Sequence, residues 1–357
     1  MSKDKKTARV PAIIQHGWHV LPHVIVDTYN EELRDRGGFL GDRASKGAFR
    51  DILDKWRKEV VGANVSGKGE DPFGDTPTWE LTKSQLDKYF EGDDPTAAAL
   101  VHTAVEEFAG ELATVIERFL GVESWKDTEH IVIGGGLSGS HIGKTAIGRA
   151  SILLEEKGVK IGLSAIDNHP DEAGLLGGIE LAPSWILDGH DAIIAVDIGG
   201  TNLRVGVVEL KIKKGDITKA SVWKSSLWRH KEDDPSRDDA VGRIAEMIGE
   251  LVDKAEEEKL KLAPFVAIGC PGLITREGTI EKGAQNLPGD WEDTDFSLSH
   301  DLAGRLPLIN GHEPLFVIHN DAVVQGLSEV ANMQDVEHWG VFTIGTGLGN
   351  ARFTNRR

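Results

Sequence analysis

An α/β protein is predicted by two features of this 357-residue sequence. Short apolar runs alternate with longer stretches of helical periodicity over most of the chain, the pattern of strands layered against helices. Three of those runs, "FVAIGCPGLI", "LFVIHND" and "GVFTIGTG", also end in small or polar residues and read as buried strands.

The composition agrees with a soluble globular chain, at 39% hydrophobic and 27% charged residues. With 58 acidic against 40 basic residues the net charge is −18, which argues against non-specific binding to nucleic acid or to an anionic membrane. Cys270 is the single cysteine, so neither an intrachain disulfide nor a cysteine-rich zinc site can form. No apolar run reaches the ~18 residues of an ordinary membrane-spanning helix. The stretch "MSKDKKTARV" is basic with no apolar segment behind it, unlike a secretory signal, and a cytoplasmic location is expected.

In chain order, residues 60–95 are polar and rich in Gly, Asp and Pro, and read as an irregular excursion. The stretch "TAAALVHTAVEEFAGELATVIERFL" puts Leu100, Val101, Ala104, Val105, Phe108, Leu112, Val115 and Phe119 on one helical face. "HIVIGGG" and "VKIGLSAI" read as strands, and "DEAGLLGGIELAPSWIL" as a glycine-spotted helix. "AIIAVDIGGTNLRVGVVEL" reads as two strands joined by a tight Gly199-Gly200 turn. A further helix repeats its apolar face at Val241, Ile244, Ile248, Leu251 and Val252.

The stretch "GGGLSGSHIGKT" carries two phosphate-binding signatures, and neither fits well. A P-loop requires glycine at the position occupied by Ser138, and Gly139 is one residue out of register. The dinucleotide fingerprint requires an acidic residue about 20 positions on, and Asp167 comes about ten residues late. A glycine-rich strand-to-helix turn remains, with Lys144 on the surface of the helix that follows.

Chemistry concentrates elsewhere. In "VDIGGTNLRVG" an aspartate, Asp197, leaves a strand, Gly199 and Gly200 turn the chain, and Thr201 and Asn202 offer a hydroxyl and an amide. Such a turn presents backbone N–H groups to phosphate while Asp197 holds magnesium, directly or through water. A plain Gly-Gly hairpin is the simpler alternative. A second turn of this kind, "TIGTGLGN", carries Thr346 and Gly347. Two glycine-threonine hairpins together suggest a phosphate clamp.

These two turns resemble the phosphate motifs of the sugar kinase–actin–Hsp70 superfamily, and their surroundings resemble its ROK branch. "AIGCPGLITREGTI" is similar to the ROK strand-and-turn motif, "QNLPGDW" to its sugar-facing segment, and "HNDAVVQGLSE" to its Asn-Asp segment and first interdomain helix. "HIVIGGGLS" resembles the adenosine motif, and "DEAGLLGGIELA" the closing helix. The likeness covers residues 96–357 well and 1–95 poorly. It implies a two-lobed actin-like ATPase fold of ribonuclease H type, with an interlobe cleft. The motifs run adenosine, closing helix, phosphate 1, sugar segment, Asn-Asp, phosphate 2. That cyclic order is intact but starts elsewhere, so a circular permutation is expected, with residues 183–192 joining the family's usual ends. One lobe would hold residues 1–170 with 321–357, and the other residues 171–320.

What the resemblance implies about function is equally specific. An ATP- and magnesium-dependent kinase would phosphorylate a hexose, at the 6-position, in the manner of a glucokinase. Asp321 would be the base, with its alternative a helix N-cap. Asn286 and Asn320 would orient sugar hydroxyls. Asp197 would handle magnesium, Gly199, Gly200, Thr201, Asn202, Thr346 and Gly347 would contact phosphates, and Gly135 and Gly136 would line the adenosine. The family's zinc loop is absent, so no structural zinc is expected. The sugar-facing histidine would lie near the N-terminus, where His19 is the candidate; a metal trio of His16, His19 and His23 is spoiled by Gly17 and Pro22. Partners are a sugar and a nucleotide, with no nucleic acid and no membrane, and a homodimer is compatible. A sugar-responsive regulator and a polyphosphate-dependent glucokinase are the alternatives.

Overall fold

The computed structural model describes residues 15–62, 71–211 and 219–356. Strand β1 (Val24–Tyr29) buries Val24, Val26 and Tyr29, and a small hairpin of β2 (Arg34–Asp35) and β3 (Gly38–Phe39) follows it. Helix α1 (Lys46–Gly62) comes next, and then α2 (Lys83–Phe90), which opens on a reciprocal capping box of Thr82 and Gln85. The stretch read as irregular therefore contains helix at both ends; its residues 63–70 lie outside the described residues. Helix α3 (Pro95–Leu120) has Asp94 as N-cap and proline in its first turn, and buries the face expected of it. Strand β4 (His130–Gly134), helix α4 (His141–Glu156) and strand β5 (Gly162–Ala165) complete this part.

The expected glycine-spotted helix is only partly α-helical. Helix α5 (Ala173–Leu176) passes into a 3₁₀ segment over Gly177–Leu181, and α6 (Ser184–Leu187) is a single turn. Then come β6 (Ala192–Ile198), β7 (Leu203–Glu209), β8 (Ser221–Trp228), α7 (His230–Asp233) and α8 (Arg237–Glu257). The chain continues through β9 (Leu262–Cys270), α9 (Leu298–Ala303), β10 (Leu315–Asn320), α10 (Asp321–Leu327), β11 (His338–Ile344) and β12 (Leu348–Asn355).

Two five-stranded mixed sheets organise these elements, in the orders β1-β12-β11-β4-β5 and β10-β9-β6-β7-β8. In the second sheet β6, β7 and β8 form an antiparallel meander, and β9 and β10 extend it parallel to β6. In the first, β11, β12 and β1 form the meander, and β4 and β5 extend it parallel to β11. Counted from β6, the second sheet has the order 3-2-1-4-5. The first sheet has the same order when counted β11, β12, β1, β4, β5. The step from β12 to β1 is short in space: Val24 pairs with Asn355, and the Arg356 N–H donates to the His23 carbonyl at 2.9 Å.

Three apolar clusters follow from this layering. One packs α8 and α9 on the outer face of the second sheet, and another packs α1 to α4 on the first. The third lies between the sheets, joining Val26, Val341 and Phe353 to Ile193, Ala195 and Phe265 through α5, the 3₁₀ segment and α10. Backbones touch there. A methyl added to Gly177 would lie 1.7 Å from the Val324 carbonyl oxygen, so only glycine allows this approach. The 3₁₀ segment is also held by Glu180, a buried carboxylate that accepts from His23 at 2.7 Å.

Gly177→Ala is expected to cost about 1–3 kcal/mol through overpacking, read as a lower denaturation midpoint. The control is Gly148→Ala in exposed α4 surface, where nothing lies near an added methyl; it should stabilise by about 0.5–1 kcal/mol. The His23 pair has its own signature. The Glu180 hydrogen bond, opposed by partial burial, raises the His23 pKa above the usual histidine value. Its stabilisation is complete below the unfolded value of about 6.5 and fades as pH rises through the folded one. Thermal melts of His23→Gln should therefore show a larger deficit near pH ~5.5 than near pH ~8.5.

Candidate active site

The site is built from strand ends. Strand β6 delivers Asp197, 6% exposed, opposite Arg204 on β7 and beside Gly269 on β9. The Asp197 carboxylate fits against the Cα of Gly174 in α5, where an added methyl would come within 2.5 Å of it. One Arg204 guanidinium nitrogen stands 3.9 Å from that carboxylate, and the other pairs with Asp171. Burial raises the Asp197 pKa above the usual carboxylate range, while the Arg204 charge pulls it down and Asp171 pushes it up.

The Gly199-Gly200 turn differs from the tight hairpin turn expected. Ile198 pairs with Leu203, so Gly199, Gly200, Thr201 and Asn202 form the connection, closed by the Gly199 N–H on the Asn202 carbonyl at 2.9 Å. Neither glycine has a positive φ. Gly200 is required instead by close approach, since its added methyl would lie 2.9 Å from Asn286 Cβ. The same methyl position is 3.8 Å from Thr346 Oγ1, and the Thr201 and Thr346 hydroxyls are 3.2 Å apart across a separation of 145 residues. The two threonine turns therefore meet, with Asn286 beside them.

The third glycine turn adjoins the second. Strands β4 and β11 run parallel with Gly134 opposite Thr343, so Gly135 and Gly136 emerge next to Gly345 and Gly347. Gly135 has φ 86°, and a side chain on it would strike the Ile344 backbone. The stretch "GGGLSGSHIGKT" forms the turn after β4 and the start of α4, capped by the Ser140 hydroxyl, with Lys144 exposed.

Strand β10 brings Asn320 and Asp321. Asn320 is the residue that caps α10: its Oδ1 accepts from the N–H groups of Ala322 (3.0 Å) and Val323 (3.2 Å), and its Nδ2 donates to the Gly272 carbonyl (3.0 Å). The cap considered for Asp321 thus belongs to its neighbour. The Asn320 side chain is 2% exposed and bonded within its own turn. The Asp321 carboxylate takes hydrogen bonds from the Ala322 N–H and from its own N–H. Burial pushes its pKa up to about 7, with the nearby Asp197 charge adding to the rise. Cys270, at the end of β9, is buried and its thiol is pushed well above the usual range, so it fills space.

The segment around His19 reaches this strand from the other end of the sequence. The Gly17 N–H donates to the Ile318 carbonyl (2.9 Å), and the Ile318 N–H to His16 Nδ1 (3.1 Å). His19 itself bonds through Nδ1 to the Val26 carbonyl at 2.7 Å. Its ring lies 6.0 Å from Tyr29, which in turn packs edge-on against His319 at 5.1 Å. The three histidines go to three different partners, and no cluster of three metal-binding side chains occurs among the described residues.

A magnesium ion would not need such a cluster, because it is commonly held by one or two carboxylates, waters and substrate phosphate. Asp197 fits that role: it is a buried carboxylate, coupled to a second one, with Arg204 only partly compensating it. Sequence reasoning missed Arg204, although its register opposite Asp197 follows from the hairpin, and it missed Tyr29, whose contact needs the fold. A polar groove of about 590 Å³ also opens beside Thr346, lined by Asp35, Arg36, Asp42, Arg43 and Asp51.

Known proteins match part of this chain, 46% of it in the case of a curated relative. The glucokinase of Thermotoga maritima is 32% identical over 163 residues, 46% of this chain and 44% of the relative. The chain thus spans less than half the length of that curated relative. Among solved structures, the Lmo2764 protein of Listeria monocytogenes is 24% identical, with a TM-score of 0.33 over 46% of this chain and 47% of its own. An exopolyphosphatase from Cytophaga hutchinsonii is 14% identical, with a TM-score of 0.25 over 48% and 51% of the two chains. Residues 193–357, which carry Asp197, both threonine turns, Asn286 and Asp321, match the ROK family.

Proposed function

We propose that the protein is a sugar kinase that transfers the terminal phosphoryl group of ATP to a hexose hydroxyl, at the 6-position, as a glucokinase does. The observation that carries this reading is the meeting of two threonine turns from different sheets, with hydroxyls 3.2 Å apart, beside two coupled carboxylates at strand ends. The sequence likeness to a glucokinase supports it.

Phosphoryl transfer asks the protein for position and charge more than for covalent chemistry. Asp321 accepts the proton of the attacking sugar hydroxyl, whose oxygen forms the new bond to phosphorus as the bond to the nucleotide diphosphate breaks. Thr201, Asn202, Thr346 and the glycine amides around them hold the donor's phosphates, and Gly135 and Gly136 lie along its adenosine. Asn286 and His19 face the sugar. Asn320 is a positioning residue: it caps α10 and so aims Asp321. Magnesium, held through Asp197, would neutralise charge on the phosphates. Sugar and nucleotide are the partners, and the cytoplasm is the location this reading implies.

The same reading treats the chain as circularly permuted. The shared 3-2-1-4-5 order supports it, because the first sheet acquires that order only when β11 and β12 are counted before β1. Residues 1–170 with 321–357 then form one lobe, residues 171–320 the other, and the cleft between them holds the substrates.

In a coupled assay over a panel of hexoses, Asp321→Asn should lower kcat by about 10²–10⁴-fold. Its melting temperature should stay close to the parent's, since Asn320 supplies the cap. Full activity in this variant would defeat the assignment of the base. Asn320→Ala should instead lower stability by about 1 kcal/mol, as cap removal does. The permutation has a separate test. A chain with residue 357 linked to residue 1 and opened in the exposed bend between Asp188 and Gly189 should fold and phosphorylate sugar. A chain opened inside β9 should not. If both fail alike, the rearrangement is not tolerated and the permutation reading falls.

A further inference from the structure

Three cations gather beside the glycine turns. In a chain of net charge −18, several basic residues of α1 and its lead-in find a carboxylate: Arg43 pairs with Glu111, Lys55 with Glu107, Arg57 with Asp71 and Lys58 with Asp54. Among the described residues, Lys46, Arg50 and Lys83 make no such pair; the Arg50 and Lys83 side chains bond backbone carbonyls, and the three lie near one another.

Their position is defined at both ends. Lys46 begins α1, and its N–H donates to the Gly345 carbonyl of the second threonine turn at 3.0 Å. Lys83 begins α2, and its ammonium donates to the Gly136 carbonyl of the third glycine turn at 2.8 Å. Arg50 lies on the Lys46 face of α1, one turn on, and its guanidinium bonds the carbonyls of Thr78 (2.7 Å) and Leu81. That link ties the lead-in of α2 to α1 and so holds Lys83 in place. Partial burial, then the charges of Arg50 and Lys83, pull the Lys46 pKa below the usual lysine range. Like charges held together without carboxylates cost free energy unless an anion joins them.

We propose that Lys46 and Lys83 bind the linear phosphate chain of the donor, with Arg50 as their positioning residue. The two lysines mark a line from the turn assigned to adenosine to the turn assigned to phosphate, which is the path a nucleoside triphosphate takes. They come from residues 1–95, the part of the chain that resembles the family least. The inference rests on the kinase reading, and it adds to that reading a contact made by the unassigned segment.

The test uses the full-length protein and three probes: ATP, uncharged adenosine and inorganic tripolyphosphate, with binding followed by calorimetry. A charge-assisted bond to phosphate contributes on the order of tenfold in affinity. Lys46→Gln with Lys83→Gln should weaken ATP and tripolyphosphate by about tenfold to a hundredfold. Adenosine affinity and the sugar KM should move by less than about twofold. Lys46→Arg with Lys83→Arg should recover most of the loss. Unchanged ATP binding, or equal weakening of ATP and adenosine, would overturn the inference. If the parent phosphorylates sugar from ATP and the double variant has the same donor KM, this inference alone fails. If the parent binds no probe and phosphorylates no sugar, the kinase reading fails as well. Binding of tripolyphosphate without ATP, lost in the Gln variant, keeps the phosphate-chain site and assigns it to an inorganic donor.

Discussion

Backbone contact between α10 and the 3₁₀ continuation of α5 is the constraint on which the site depends. Gly177 meets the Val324 carbonyl, Gly178 meets Ala195 and Ala267 of the second sheet, and Gly326 meets Phe353 of the first. Any side chain larger than hydrogen at these points would push the sheets apart. The same close packing puts Gly174 against Asp197, and Gly269 near the Asp321 backbone. Helix packing and the placement of the two carboxylates are thus one structural fact.

Charge is distributed unevenly around that centre. Two coupled carboxylates lie at the ends of β6 and β10, and burial makes both easier to protonate than in water. Arg204 balances Asp197 only in part, because it is shared with Asp171. On the other side of the threonine turns stand Lys46, Arg50 and Lys83, without carboxylates among the described residues. Neither side is favourable for folding alone, and perturbed groups of this kind gather where function requires them.

The segment before β1 shows how far chain distance and spatial distance can separate. Gly17 and His16 bond to Ile318, only two residues from Asn320, across 302 positions in the case of the His16 bond. Tyr29 then packs against His319, whose Nδ1 accepts the Asn320 N–H at 2.7 Å. Burial lowers the His319 pKa to about 3, so the ring stays neutral and keeps accepting that bond. A run of neutral, packed rings therefore backs the turn that aims Asp321.

Alone, the sequence determined what local chemistry decides. The helical face of α3, the strands ending at Ile198, Asn320 and Ile344, and the glycine turns after the first and last of them follow from periodicity and residue type over a few positions. Tertiary structure decided what depends on contact between distant segments. It gave the α10 cap to Asn320, because the Gly272 carbonyl fixes that side chain from 48 residues away. It turned the expected helix after Asp171 into a 3₁₀ segment where Val324 presses against Gly177. Lys46 and Lys83 gained a meaning only once α1 and α2 stood over two glycine turns. No pattern within either helix could have announced this, because the partners lie 53 residues away for Lys83 and at the far end of the sequence for Lys46.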